Sequence, residues 1–209
     1  MPLRSLFAIV SLAVVASFCG ELPAELSPHD TLRAHVLGDR IAALGPKVRP
    51  DEAGRVAECA YTTAQRLRRK NGTVWPPSLN NILVNTGIRK RGLCFQWAED
   101  LLAQLDALKV TTLDLHWAEA YAGTWREHNV VVVTAKGRPY RDGILLDCWR
   151  HCGHLFWSAV ATDDYPWMED TKYAGIARSK FEAKRKSRFA EKQPVSGNEK
   201  GSTITASTH

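Results

Sequence analysis

The sequence predicts an α+β fold in which N-terminal helices pack on a small antiparallel sheet. Up to about residue 109, apolar residues recur at a helical period of about 3.6, and beyond it the period changes to about 2. Helices that precede the strands, instead of alternating with them, favour an antiparallel sheet. The 209 residues suffice for one domain with a sizeable core and for ends that lie outside it.

Three helical segments are predicted before the first strand. The first lies in residues 26–44, with Ser27 or Asp30 as its N-cap and a Gly-Pro pair closing it. The second starts at Pro50, carries acids in its first turn and basic residues in its last, and ends at an Asn-Gly pair. The third starts near Cys94. Between the last two, residues 73–87 are predicted as a loop with at most two helical turns.

Four strands are predicted after the helices, and short segments with Gly or Pro join the first three as hairpins. Their sequences are TLDLHWAEAY, HNVVVVTA, GILLDCW and HLFWSAV. The chain then divides into a signal at 1–19, an N-terminal helical segment at 20–46, a core at 47–172 and a basic tail at 173–209. The tail is predicted to be a frayed helix followed by a disordered end.

The net charge of +6 is mostly a property of that tail. Residues 178–200 hold eight basic and three acidic residues, which leaves 20 basic against 19 acidic residues elsewhere. No basic face with interleaved aromatic residues remains to follow a phosphate backbone, so a nucleic-acid partner is not expected.

The first 19 residues are typical of an export signal. Arg4 precedes an apolar run at 6–18 that is too short to span a membrane, and cleavage is expected after Ala16 or near Cys19. Cys19 resembles a bacterial lipobox cysteine in position, although Phe18 stands where that pattern has a small residue. We therefore expect export to the periplasm or cell envelope, with membrane attachment only if Cys19 is lipidated.

Cys94 is the candidate nucleophile. A thiolate is favoured at a helix start, where the helix dipole is positive, and the backbone amides there can donate to an oxyanion. His128, at the head of a valine-rich strand, is the candidate base. Asp147 lies inside an apolar strand, where a carboxylate needs a partner. Hairpin counting brings Asp147 within reach of His128, so the three residues form a candidate triad.

The order of these residues resembles the transglutaminase-like cysteine peptidase superfamily, and the bacterial transglutaminase-like proteinases in particular. The pieces that carry the resemblance are GLCFQWAEDLL, EHNVVVVTAKG and DGILLDCW. It implies a papain-like core, a thiol hydrolase or acyltransferase acting on amide bonds, a protein or peptide substrate and no cofactor or metal. Where papain-type enzymes have a glutamine this chain has Ile88, so the second oxyanion donor falls to Asn85, Asn81 or Trp75 as weak candidates.

Two other functions stay open at this stage. One is an inactive binding module of the same fold in the cell envelope, with a protein or peptidoglycan partner. The other is a metal-binding protein, because DCWRHCGH holds five metal-donor types within eight residues. The blander interpretation of that segment is a disulfide between Cys148 and Cys152 across a tight turn. Cys94 is expected to be a free thiol that is not bonded to Cys59, because packed helices usually hold their axes too far apart.

Overall fold

The computed structural model describes residues 26–72 and 74–191, so the predicted signal and the end of the tail lie outside the described residues. This part of the chain has an α+β fold with five helices and one five-stranded antiparallel sheet. The helices are α1 Pro28–Ala42, α2 Pro50–Asn71, α3 Pro77–Asn85, α4 Cys94–Ala107 and α5 Thr171–Glu191. Of the helices in the described ranges, none is long and apolar enough to cross a membrane.

The caps of the first two helices follow from the sequence. Ser27 Oγ accepts the Asp30 N–H at 3.1 Å and begins α1, as one of the two predicted caps. Gly72 ends α2 at φ 54°, a left-handed conformation that glycine adopts without steric cost, and its N–H bonds to Arg68 O. The segment between α2 and α4 forms α3, nine residues long, which is slightly more helix than the two predicted turns.

The sheet has the order β4-β3-β2-β1-β5, and every neighbouring pair is antiparallel. Its strands are β1 Leu113–Ala120, β2 His128–Ala135, β3 Ile144–Asp147, β4 Phe156–Ala159 and β5 Met168–Glu169. The four predicted strands are therefore present. The fifth, at one edge of the sheet, has only two residues, which is too short for an alternating pattern to appear in the sequence.

The register of β2 places His128 at the mouth of the sheet. His128 is the first residue of β2 and pairs with Ala120, the last residue of β1. On the other side, Val131 pairs with Leu146. Asp147 is therefore level with residue 130, two positions along β2 from His128, and alternation turns both side chains to the same face of the sheet.

Apolar residues cover both faces of the sheet. Val131, Val133 and Leu146 face α2 and α4 in the larger core. The intervening residues of β2 and β3 belong to a smaller cluster on the opposite face, together with Tyr140, Val160 and Trp167. Strands buried on both sides read as continuous apolar runs, which explains the sequences VVVV and ILL.

A buried carboxylate fixes the turn between α4 and β1. Glu52, on the first turn of α2 and 2% exposed, accepts both the backbone N–H and the hydroxyl of Thr111 and of Thr112. Burial by itself raises the pKa of Glu52, but these hydrogen bonds outweigh burial and lower the pKa to about 2. The sequence indicated the acidic first turn of α2, but it did not predict the contact of Glu52 with Thr111 and Thr112.

Helix α5 corrects the predicted boundary of the core at residue 172. Ala174 and Ala177 are buried against the core, and Tyr173 Oη donates to Glu99 on α4 at 2.9 Å. Arg178 donates to Asp106 on α4 and to the carbonyl of Leu115 on β1, both at 2.9 Å. The first turns of the predicted tail are thus part of the folded unit. Their small and basic residues gave no apolar stripe by which to recognise this.

Candidate active site

Cys94 is the first residue of α4, and hydrogen bonds to nearby side chains fix the backbone of the two residues before it. Gln96 Oε1 accepts the N–H groups of Gly92 at 2.8 Å and Leu93 at 3.2 Å. The indole Nε1 of Trp149 donates to the carbonyl of Gly92 at 3.0 Å. Gly92 has φ 144°, a backbone conformation that residues with a side chain rarely adopt, so the turn before Cys94 favours glycine.

The thiol of Cys94 lies against the start of β2 and is 6% exposed. Its Sγ is 3.4 Å from the carbonyl of Glu127, to which it donates. The side-chain amide of Asn129 donates to the same sulfur over 3.7 Å. Residues on both sides of His128 therefore touch the thiol.

His128 is buried, and Asp147 holds its ring. Nε2 of His128 and Oδ2 of Asp147 are 2.6 Å apart, and the two residues are 2% and 1% exposed. The ring packs between Trp149, Tyr165 and Trp167, with centroid distances of 5.0 to 5.6 Å. Nδ1 has no hydrogen-bond partner among the described residues, which leaves one ring nitrogen available on the side away from Asp147.

The electrostatics of this pair favour a charged imidazole. Burial alone lowers the pKa of His128, but Asp147 and the nearby Cys94 outweigh burial and raise the pKa to about 9. Burial raises the pKa of Asp147, but His128 and the Arg150 N–H and guanidinium outweigh it and hold this pKa below its usual value. The folded protein thus stabilises an imidazolium–carboxylate pair at neutral pH.

Asp147 is fully hydrogen-bonded despite its burial. Oδ1 accepts the backbone N–H groups of Trp149 and Arg150, each at 2.9 Å, while Oδ2 accepts Arg150 Nε at 3.0 Å in addition to His128. The guanidinium of Arg150 continues to Asp163 at 2.8 and 3.2 Å. It also lies 4.3 Å from the ring centroid of Phe156. These contacts fix the position of the carboxylate.

The structure thus brings Cys94, His128 and Asp147 into one site. The weak oxyanion candidates are more scattered, and none of them hydrogen-bonds to Cys94 in the described part of the chain. Asn85 is an exposed residue at the end of α3, and Trp75 is 69% exposed with its ring stacked on His151. Asn81 has a buried Oδ1 for which the described residues provide no partner. The backbone N–H groups at the very start of α4 are the better donors, because the first N–H groups of a helix have no acceptor one turn before them. The N–H of Gln96 is already bonded to the carbonyl of Leu93.

The predicted disulfide between Cys148 and Cys152 is not formed, because Cys148 is a free thiol. Cys148 follows β3 and points into the core, where burial raises its pKa well above the usual value. Cys152 Sγ instead donates to the carbonyl of Val74 at 3.2 Å. Cys59 and Cys94 are both free thiols, so the prediction that they are not bonded to each other is confirmed.

The donor types in DCWRHCGH do not converge on a metal centre. Within the described ranges, no three His, Cys, Asp or Glu residues are arranged to hold a metal ion. Asp147 is engaged by His128 and Arg150, Cys148 faces the core, and His151 lies against Trp75 and Phe156. The strand-like alternation at the start of this segment separates its donors.

Sequence reasoning missed two residues of the site, Asn129 and Arg150. The signal for Asn129 was its position: it is the one polar residue on the helix-facing side of HNVVVV, where alternation places it in line with Val131 and Val133. Arg150 follows Asp147 by three residues, and a buried carboxylate with a nearby arginine is a usual pairing. Neither signal predicts that Asn129 contacts Cys94 or that Arg150 contacts Asp163, because both contacts depend on the tertiary fold.

Comparison with known proteins returns no match: no family model, no curated protein and no solved structure matches this chain. The functional interpretation therefore rests on the geometry of the site.

Proposed function

We propose that this protein is a thiol-dependent hydrolase or acyltransferase that acts on amide bonds, with Cys94 as nucleophile, His128 as acid and base, and Asp147 as the residue that orients His128. One observation carries the proposal. The thiol at the start of α4 lies beside His128, and the far nitrogen of His128 is bonded to a buried, fully hydrogen-bonded aspartate. A cysteine that serves only as core filler needs neither neighbour.

The chemistry follows from the acid–base properties of the three groups. The Cys94 thiolate attacks the carbonyl carbon of an amide, and a C–S bond forms as the carbonyl π electrons move to oxygen. Backbone N–H groups of the first turn of α4 stabilise the oxyanion. The oxyanion collapses, the C–N bond breaks, and His128 gives its proton to the leaving amine. Water, or an acceptor amine, then attacks the thioester while His128 takes its proton, and the thiolate is regenerated.

We propose the papain-like, transglutaminase-like core as the finer description of the α+β fold. A cysteine at a helix start, a histidine at a strand start and an aspartate at the end of the next strand support it. The substrate class that fits this proposal is a protein or peptide, because the reacting bond is an amide.

Export to the periplasm or cell envelope remains part of the proposal, although the signal lies outside the described residues. If it is correct, the mature protein starts within about three residues of Ala16 or Cys19. Mass measurement of the intact protein from the envelope fraction of the native host decides this. Recovery of the full-length chain with its first 19 residues from the cytoplasm would contradict export.

Alkylation of Cys94 tests the proposed function. We expect wild-type protein to react with iodoacetamide at about pH 6, where an ordinary thiol with a pKa of about 8.5 is almost unreactive. Peptide mass spectrometry assigns the label to Cys94, and Cys94→Ala removes it while the fold is retained. Cys59→Ala is the matched control, because Cys59 is a partly exposed free thiol outside the site, and this variant should keep the Cys94 label.

Equal labelling of wild type and Cys94→Ala at that pH would contradict the enzyme. That result would favour the alternative function, an inactive binding module of the same fold that engages a partner.

A further inference from the structure

We propose that Asn129 is a further catalytic residue, whose side-chain amide donates a hydrogen bond to the Cys94 thiolate and so favours the reactive form. The inference rests on the proposed function, because it concerns the same sulfur atom. It goes beyond the triad, since it assigns a role to a residue on the other face of β2 from His128.

The orientation of the Asn129 amide is fixed by a group that can only donate. The indole N–H of Trp117 lies 2.9 Å from Oδ1 of Asn129, and an indole has no acceptor. The oxygen must therefore face Trp117, and Nδ2 with its two hydrogens faces the other way. Trp117 is 1% exposed and Asn129 is 5% exposed, so water does not compete for this contact.

The two hydrogens of Nδ2 have two acceptors. One is Oε1 of Glu127 at 3.3 Å and the other is Sγ of Cys94 at 3.7 Å. Glu127 also accepts the N–H of Gly123 at 2.9 Å, which anchors its carboxylate in the loop before β2. The amide is thus held at both ends, with one hydrogen directed at the sulfur.

The contacts of the sulfur favour opposite protonation states. The carbonyl of Glu127 accepts from the S–H group at 3.4 Å and stabilises the neutral thiol. The Asn129 amide can only donate toward the sulfur, and a hydrogen bond to an ionised acceptor is about twice as strong as one to a neutral acceptor. Loss of the thiol proton therefore weakens the first contact and strengthens the second. Asn129 shifts the balance to the thiolate.

The effects of the titratable groups near the sulfur must be distinguished from the effect of the Asn129 amide. They are His128, with Asp147 behind it, and Glu127 across the amide of Asn129. Removal of the amide could free the Glu127 carboxylate to approach the thiolate, which would also disfavour ionisation. The measurement is therefore made in the Glu127→Gln background as well.

The rate of Cys94 alkylation by iodoacetamide between about pH 4 and 10 tests the inference. Asn129→Leu keeps the shape and loses the donor, and we expect the pH midpoint to rise by about one unit, with a rate about tenfold lower at pH 6. The shift should persist with Glu127→Gln. Asn129→Asp keeps the oxygen that accepts from Trp117 but replaces the donor with an anion, so it should raise the pH midpoint further. This variant also tests the inference if Asn129→Leu does not fold.

Thr134→Val is the matched control. Thr134 is 0% exposed on the same strand and hydrogen-bonded to His116, away from Cys94, so its replacement should leave the midpoint unchanged. An equal shift in this control would overturn the inference, because it would assign the effect to a loosened β2. A wild-type midpoint in Asn129→Leu would overturn it while the proposed function stands. A wild-type midpoint near that of an ordinary thiol would overturn both.

Discussion

At the scale of single residues, the site is supported by a buried chain of charges that continues past the triad. His128 contacts Asp147, Asp147 contacts Arg150, and Arg150 contacts Asp163. Charges removed from water are stable only when each is paired and hydrogen-bonded. Arg150 satisfies two buried carboxylates at once, so it holds Asp147 in position against His128.

Arg150→Lys should therefore lower the free energy of unfolding by about 1–3 kcal/mol, because an ammonium cannot bridge both carboxylates as the guanidinium does. Urea denaturation measures the loss. Arg138→Lys is the control, since Arg138 forms an exposed pair with Asp142 and its replacement should change stability by less than about 1 kcal/mol. Equal losses in the two variants would mean that the buried bridge has no special weight.

The raised pKa of His128 predicts how stability depends on pH. Its folded value of about 9 lies above the unfolded value of about 6.5, so the charged ring stabilises the native state fully below pH 6.5. That contribution is lost as the pH rises from about 6.5 through 9. We expect the free energy of unfolding of wild type, relative to His128→Gln, to fall over this range. A difference that is constant from pH 6 to 9.5 would contradict the raised pKa.

The residue types of the triad could be predicted from the sequence, and their contacts could be predicted in part. Strand alternation and the hairpin placed Asp147 near His128, because register depends on a short connection. The contacts of Gly92 could not be predicted, because its N–H bonds to the Gln96 side chain and its carbonyl bonds to Trp149, which is distant in the chain. Long-range side-chain contacts of this kind have no periodicity to reveal them.

At the scale of elements, Glu52 joins α2 to the start of the sheet. Glu52→Gln should cost about 1–3 kcal/mol of unfolding free energy, because the amide accepts fewer of the four N–H and O–H groups and introduces donors against them. Asp51→Asn is the matched control on the same turn, where the carboxylate is 56% exposed and pairs with Arg49. Thermal unfolding of the two variants compares them; a larger loss in Asp51→Asn would contradict the assignment.

The lowered pKa of Glu52 has its own pH signature. The folded value of about 2 lies below the unfolded value of about 4.5, so the stabilisation is present above pH 4.5 and is lost as the pH falls toward 2. We expect wild type to lose stability in this range more steeply than Glu52→Gln. Parallel acid denaturation curves would show that the carboxylate is not held as described.

Elements whose ends are set by nearby residues could be predicted from the sequence, whereas the two-residue strand β5 could not. The caps of α1 and α2 come from residues within a turn of the helix end. Strand β5, Met168–Glu169, is defined by its antiparallel pairing with β1. Glu169 also contacts His116 on β1 at 2.6 Å, across more than fifty residues. Propensity within a two-residue segment carries no such information.

At the scale of the whole molecule, α5 closes the fold against α4 and β1. Arg178→Ala should destabilise the protein by about 1–3 kcal/mol, because the guanidinium contacts Asp106 and a backbone carbonyl in two different elements. Arg185→Ala is the control, since Arg185 pairs with Glu182, three residues away on the same helix, at an exposed position. Equal unfolding midpoints for the two variants would show that the contacts of α5 do not stabilise the folded core.

The proposed function requires Cys94, His128 and Asp147 to act as one unit, and the pH profile of Cys94 alkylation in three proteins measures whether they do. We predict that wild type reacts at about pH 6, while His128→Gln reacts only as an ordinary thiol near pH 8.5. Asp147→Asn should lie between them, because it leaves the ring in place without its counter-charge. Three superimposable profiles from folded proteins would contradict the proposed triad.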